Sequence, residues 1–240
     1  FNVPVEYPKV GEDLTPAKIG VIDLNSMDVT WMKIPGESNK FYLPRMTWMP
    51  NKDKLMIQQL NRKQNHSRYF VANADNGSTE LLLEDKDEAW IDVRNTWPYQ
   101  DKAGWKFING GKEFLYTSEK DGWSHVYRYD IEKREEFLVT KGDYDVIRPL
   151  SFDEEKGDIY FIASPKDPTE RYLYKTSENN ELELVTPKLL EGTHNYQIST
   201  KSRYAFHSFS NYYTRPMHGI VTLPDHEYIN KDDDILSKFN

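Results

Sequence analysis

Serine, histidine and carboxylate side chains are the groups in this 240-residue chain that could carry hydrolytic chemistry. A serine nucleophile on a sharp strand-to-helix turn needs the pattern Gly-x-Ser-x-Gly, because only glycine lets the backbone bend tightly enough. Gly122-Trp123-Ser124-His125-Val126 approaches that pattern but lacks the second glycine, and it lies in hairpin-like sequence. It reads as a turn, with His125 in a hydrogen-bonding role. The six histidines, His66, His125, His194, His207, His218 and His226, form no His-x-x-x-His pair that would set two imidazoles on one metal. The acidic stretches 84–88, 153–155 and 232–234 contain no Asp-x-Asp-x-Asp-Gly calcium loop and read as solvated surface. A pair of carboxylates could in principle hydrolyse a glycosidic bond. The reading is therefore no catalytic residue, no metal site and no cofactor.

The elements that would position these groups are strands. Aromatic residues make up 14% of the chain, which suits a pleated, half-buried surface and argues against disorder. Apolar and polar residues alternate at 17–24, 55–60, 69–72, 113–117, 125–129, 158–163, 172–175, 182–185 and 204–209. Asp75-Asn76-Gly77, Gly110-Gly111 and Asp121-Gly122 punctuate them, since Asn-Gly and Asp-Gly tolerate the positive φ of tight hairpins. A short helix is expected near 232–239, where acidic residues open the segment and a lysine stands near its end.

Internal repetition narrows the architecture. Stretches starting at Leu55, Phe114, Ile159 and Ala205 each open on an apolar strand, at intervals of 59, 45 and 46 residues. In the first three, a polar turn, a tyrosine-bearing strand and a further strand follow. A unit of roughly 45–50 residues with four strands is the period of propeller blades. An irregular β-sandwich is the competing architecture. The fold class is all-β, a partial β-propeller of four to five four-stranded antiparallel blades, with residues 1–240 forming one propeller fragment.

Bulk properties exclude several functions. The net charge of −8, without a basic stripe, argues against nucleic acid. No apolar run reaches the ~20 residues of a membrane span. The absence of cysteine removes disulfides and zinc–thiolate sites. Asn65-His66-Ser67 and Asn76-Gly77-Ser78 match the acceptor pattern for N-glycosylation.

Several stretches, in order, resemble the N-terminal β-propeller region of dipeptidyl peptidase IV-like enzymes, within the prolyl oligopeptidase clan of serine peptidases. They are Tyr7-Pro8-Lys9-Val10-Gly11, Arg45-Met46-Thr47-Trp48, Leu60-Asn61-Arg62-Lys63-Gln64-Asn65, Ala89-Trp90-Ile91-Asp92-Val93, Ser118-Glu119-Lys120-Asp121-Gly122-Trp123-Ser124-His125-Val126-Tyr127 and Thr140-Lys141-Gly142-Asp143-Tyr144-Asp145-Val146. Tyr144 stands where the family pattern has tryptophan.

The resemblance implies a propeller that caps an α/β-hydrolase domain and admits peptide N-termini, with dipeptides as product. It implies a periplasmic or extracellular setting, a C-terminal hydrolase domain as partner and a peptide as substrate. The family's amine-binding glutamate pair precedes its Tyr-Pro-Lys segment. Glu135-Glu136 lies elsewhere and does not inherit that role. Arg94 sits near the position of a family arginine that faces the active-site cavity, so substrate contact is expected there. The alternative is a stand-alone propeller scaffold that binds a ligand or protein; a polysaccharide-active propeller is a third reading. Phe1 is not an initiator methionine, and the chain reads as the later part of a longer propeller. Its terminal blades would then expose apolar faces, which favours a homo-oligomer or a compact open arc.

Overall fold

A computed structural model describes residues 11–50, 53–93, 97, 104–177 and 181–231. The expected helix near 232–239 lies outside the described residues. The chain divides into two compact units, Phe1–Val93 and Arg94–Asn240.

In the first unit, β1 (Gly20–Ile22) and β2 (Val29–Trp31) form a two-stranded hairpin. A four-stranded antiparallel sheet follows, of β3 (Phe41–Trp48), β4 (Lys54–Asn61), β5 (His66–Asn73) and β6 (Thr79–Lys86) in sequence order. Side chains of a strand alternate between faces. Leu55, Ile57 and Ala72 therefore share one face, where they pack on Ile19 and Met32.

The second unit holds three more such sheets. The first is β7 (Trp105–Ile108), β8 (Glu113–Ser118), β9 (His125–Asp130) and β10 (Glu135–Leu138). The second is β11 (Val146–Asp153), β12 (Asp158–Ala163), β13 (Tyr172–Thr176) and β14 (Glu183–Leu184). The third is β15 (Thr193–Ile198), β16 (Tyr204–Ser210), β17 (Met217–Thr222) and β18 (Tyr228–Lys231). The pairings between these strands are antiparallel and join sequence neighbours, and one isolated parallel bridge links Arg171 to Thr193.

Within the second unit the sheets pack face to face, and β12 shows why. All six of its residues are buried. Ile159, Phe161 and Ala163 point to one side, where they meet Leu115 and Val126 of the preceding sheet. Tyr160 and Ile162 point to the other side, where they meet Tyr196, Ala205 and Val221 of the following sheet. A large apolar side chain buried in this way contributes about 1.5–3 kcal/mol. A strand that serves two neighbours must be apolar on both faces, which explains its unbroken apolar run.

One turn recurs in both units. The backbone N–H of residue i+4 donates to the carbonyl of residue i at Met27 to Asp23, Gly77 to Asn73, Arg134 to Asp130, Gly157 to Asp153 and His226 to Thr222. Residue i+4 has positive φ in every case, from 56° to 74°. In the first four, the side-chain oxygen of the Asp or Asn accepts backbone N–H groups two and three residues on. Asp and Asn favour such loops because their short side chains can bond the backbone locally.

Two readings of the acidic stretches need correction. Asp85 is 6% exposed and Asp153 is 7% exposed, so neither belongs to a solvated surface. Asp153 is drawn in by its turn. The stretch 232–234 lies outside the described residues.

The outward face of the last sheet carries exposed Tyr204, Phe206 and Ile220. In the first unit, Ile22, Val29 and Trp31 of the β1–β2 hairpin are likewise exposed.

Candidate functional site

Arg94, the one residue with an expected substrate contact, lies outside the described residues. The chain leading to it is well anchored. Asn61 closes the β4–β5 hairpin: its Oδ1 accepts the N–H groups of Asn65 and His66, at 3.0 and 3.1 Å. Its Nδ2 donates to Asn65 Oδ1 at 2.8 Å. The hairpin carbonyls then hold the segment after β6. Asp87 N–H donates to Asn65 O at 3.1 Å, and Ile91 N–H donates to Gln64 O at 2.8 Å. Asp87 Oδ1 accepts the N–H groups of Ala89 and Trp90. Those two bonds hold its carboxyl below the usual carboxylate range. The Leu60–Asn65 motif is thus a clamp on residues 87–91, and Trp90 stays half exposed beside it.

A polar seam runs through the same sheet. Arg45, Gln58 and Tyr69 are register partners across β3, β4 and β5. Gln58 Nε2 donates to Ser67 Oγ at 2.8 Å and to Tyr69 OH at 3.2 Å. Burial pushes the Tyr69 phenol up to about 12, with Asp85 adding to the shift. Burial also lowers the Arg45 pKa, against the opposing pull of Tyr69 and Asp92. Arg45 therefore links the sheet electrostatically to Asp92, two positions before Arg94.

The second unit offers two further polar arrangements. Ser124 Oγ donates to Val146 O at 3.5 Å, and His125 Nδ1 lies 2.8 Å from Asp121 Oδ2. The His125 ring packs edge-on against Tyr144, and its Nε2 is buried without a hydrogen-bond partner. Neither Ser124 nor His125 is open to a substrate, since they are 4% and 1% exposed. The turn is closed by the Gly122 N–H to Glu119 O bond, and His125 and Val126 after it already belong to β9. Glu136 accepts from Lys120 Nζ at 2.8 Å and is hydrogen-bonded to the Tyr116 hydroxyl. Lys120 sits 4.7 Å from the Tyr127 ring centre, a cation–π contact. Glu135, next to it, is exposed. Glu136 is exposed as well, and as neighbours on a strand the two glutamates point to opposite faces.

A cavity of about 340 Å³ lies between the β7–β10 and β11–β14 sheets. Leu115, Phe137, Val139 and Phe152 line it, with Arg128 and Glu136 at its wall. Arg128 lies over the Phe137 ring at 5.0 Å and faces Glu113 at 3.8 Å. Among the described residues, no three His, Asp or Glu side chains converge to hold a metal ion. Among them, too, no helix is long and apolar enough to cross a membrane.

Comparisons with known proteins cover nearly the whole chain. The family model for the dipeptidyl peptidase IV (DPP IV) N-terminal region matches residues 2–216. Dipeptidyl peptidase 4 of Trichophyton rubrum is 23% identical over 189 residues, covering 78% of this chain and 24% of that protein. Inactive dipeptidyl peptidase 10 of Rattus norvegicus is 28% identical over 182 residues, covering 71% of this chain and 22% of that protein. The crystal structure of Porphyromonas gingivalis dipeptidyl peptidase 4 superposes with a TM-score of 0.82 at 23% identity, covering 98% of this chain and 32% of that one. The chain thus spans a third or less of the length of these relatives. With that neighbour, its four-stranded antiparallel sheets are the blades of a partial β-propeller.

Proposed function

This chain belongs to the dipeptidyl peptidase IV N-terminal region family, and on that premise we propose that it is the non-catalytic propeller portion of a dipeptidyl peptidase IV-like serine peptidase. Its role is to gate and position peptide N-termini for an α/β-hydrolase domain elsewhere in the parent protein. The observation that carries this reading is the family match over residues 2–216, combined with a fold made of stacked sheets. A wall of packed β-sheets is rigid, so it can exclude folded protein and pass chain ends. Burial of Ser124 and His125 supports a role in shape rather than chemistry.

Within this reading Arg94 contacts the substrate, and the Asn61 clamp with Arg45 and Asp92 anchors the chain before it. Residues 1–240 act as one propeller fragment. The exposed apolar faces at Tyr204–Phe206–Ile220 and Ile22–Val29–Trp31 favour association with further sheets or a second copy.

The second reading is a binding scaffold in a parent without peptidase activity. The 28% identity to a relative named inactive dipeptidyl peptidase 10 favours it. The source gene and an assay separate the two. A downstream Gly-x-Ser-x-Gly and turnover of an Xaa-Pro chromogenic substrate by the parent protein support the first reading. A parent that lacks the motif and does not turn over the substrate supports the second. In an active parent, Arg94→Ala should raise KM with little change in kcat; an unchanged KM removes Arg94 from the site.

A further inference from the structure

The last sheet buries three histidines around one hydrogen-bonded chain. His194, on β15, directs Nε2 to the Leu190 carbonyl at 2.8 Å. A carbonyl only accepts, so Nε2 carries the proton and, in the neutral ring, Nδ1 is bare. His207 Nε2, on β16, lies 2.8 Å from that Nδ1 and must donate to it. His207 Nδ1 is then bare and accepts from the Tyr228 hydroxyl, also at 2.8 Å. Every proton in the chain is fixed by the carbonyl at one end. A second branch joins Thr186, Tyr196 and His226 Nε2, at 3.0 and 2.8 Å.

An extra proton disturbs this chain and brings in a charge that nothing neutralises. Protonating His194 forces His207 to move its own proton to Nδ1 and the Tyr228 hydroxyl to turn and accept it, and leaves a positive charge inside a buried ring stack. The three rings are 0–5% exposed, and their centres lie 5.1 Å (His194–His207) and 4.8 Å (His207–His226) apart. His226 Nδ1 is buried without a partner.

The surrounding groups offer no counter-charge. His194 stacks on Tyr172 of β13 and on Phe209 of β16. Tyr196 and Tyr228 close the network from β15 and β18. His218, on β17, opposes protonation of His207 by its own charge. Glu170 is engaged by the Tyr172 hydroxyl, while Glu191, Asp225 and Glu227 are exposed. Among the described residues, none of these carboxylates pairs with an imidazole of the network.

We propose that the β15–β18 sheet is an acid-released element, whose hydrogen-bonded histidine chain holds it folded at neutral pH and lets it open as the pH falls, ahead of the β11–β14 sheet. Burial is the main reason that His194 is lowered to about 4 and His207 to about 3, and it lowers His226 too. An unfolded histidine titrates near 6.5. The opened sheet therefore binds protons that the folded one refuses. The stabilisation is complete above about pH 6.5 and is lost as the pH falls from there, towards about 4 for His194 and about 3 for His207. The β11–β14 sheet spans 146–184 without a histidine and supplies an internal control.

Hydrogen exchange of the protein between pH 7.5 and 5, corrected for intrinsic rates, tests this. Protection of β15–β18 peptides should fall by roughly tenfold per pH unit for each coupled histidine below about pH 6, while β11–β14 falls less. Parallel loss in both sheets, or no loss in either, overturns the proposal. His207→Gln should flatten the pH dependence by about one proton. If that variant fails to fold, imidazole NMR of the unsubstituted protein decides. His194 and His207 should stay neutral down to pH 5 in the folded state; titration near 6.5 while folded overturns the proposal.

Discussion

Asp121 Oδ2 and His125 Nδ1 lie 2.8 Å apart, joining the two ends of the turn that enters β9. The carboxylate orients an imidazole that is almost wholly buried, and so fixes how β9 begins. Burial of Asp121 works against its charge, but the hydrogen bond and charge of His125, together with hydrogen bonds from Trp123 and Tyr127, outweigh it and hold the carboxyl below the usual carboxylate range.

Asp121→Ala should therefore cost about 1–3 kcal/mol at neutral pH, because it leaves a buried imidazole N–H unpaired. The carboxylate's lowered pKa means that its contribution is present above about pH 3.8 and is lost as pH falls through the lowered value. The gap between variant and parent in urea unfolding should accordingly close below about pH 4. An equal gap at every pH would show that the pair contributes only shape.

Two glycines with positive φ should respond differently to alanine. At Gly122 (φ 96°) an added Cβ meets nothing within 4 Å. Its cost should be the conformational one alone, about 1–2 kcal/mol. At Gly77 (φ 72°) the same Cβ would stand 2.1 Å from the Trp31 carbonyl oxygen, which is backbone and cannot swing away. Thermal melts should place Gly77→Ala well below Gly122→Ala.

Leu173 is wholly buried between the second unit's last two sheets, whereas Leu189 is 96% exposed. Leu173→Ala should cost about 2–5 kcal/mol, and Leu189→Ala should stay within about 0.5 kcal/mol. Chemical denaturation measures both.

Asn61→Ala removes the acceptor of two backbone N–H groups in the β4–β5 turn. A loss of about 1–2 kcal/mol is expected. Because the Gln64 carbonyl belongs to that turn, the Ile91 amide should exchange faster in the variant. Unchanged exchange at Ile91 would mean that the segment before Arg94 holds itself.

The sequence exposed some strands and hid others for physical reasons. Leu55, Phe114, Ile159 and Ala205 fall in β4, β8, β12 and β16, the second strand of each sheet. Those strands carry apolar residues whose pattern is easy to read. The first strands were harder to see. Pro44 in β3 and Pro149 in β11 sit at register shifts, which break the alternation. In β15 the buried positions are His194 and Tyr196, and an apolar count passes over a histidine.

The recurring turn had a signal in the Asp or Asn that opens most of its copies, but its fifth residue varies as Met, Gly, Arg, Gly and His. The burial of Asp85 and Asp153 is not legible in the sequence, because charge implies solvent unless the hydrogen bonds are known. The Asn61 clamp lay inside a motif visible by resemblance, while its purpose depends on contacts between residues more than twenty positions apart.

The double-sided burial of β12 sets a rule of parity for the evolution of this chain. Adding one residue within that strand would send Phe161 to the wall where Ile162 belongs, and spoil two interfaces at once. Adding two residues would keep every side chain on its proper side. Length variation among related chains should therefore collect in the hairpin tips and, within strands such as β12, come in even steps.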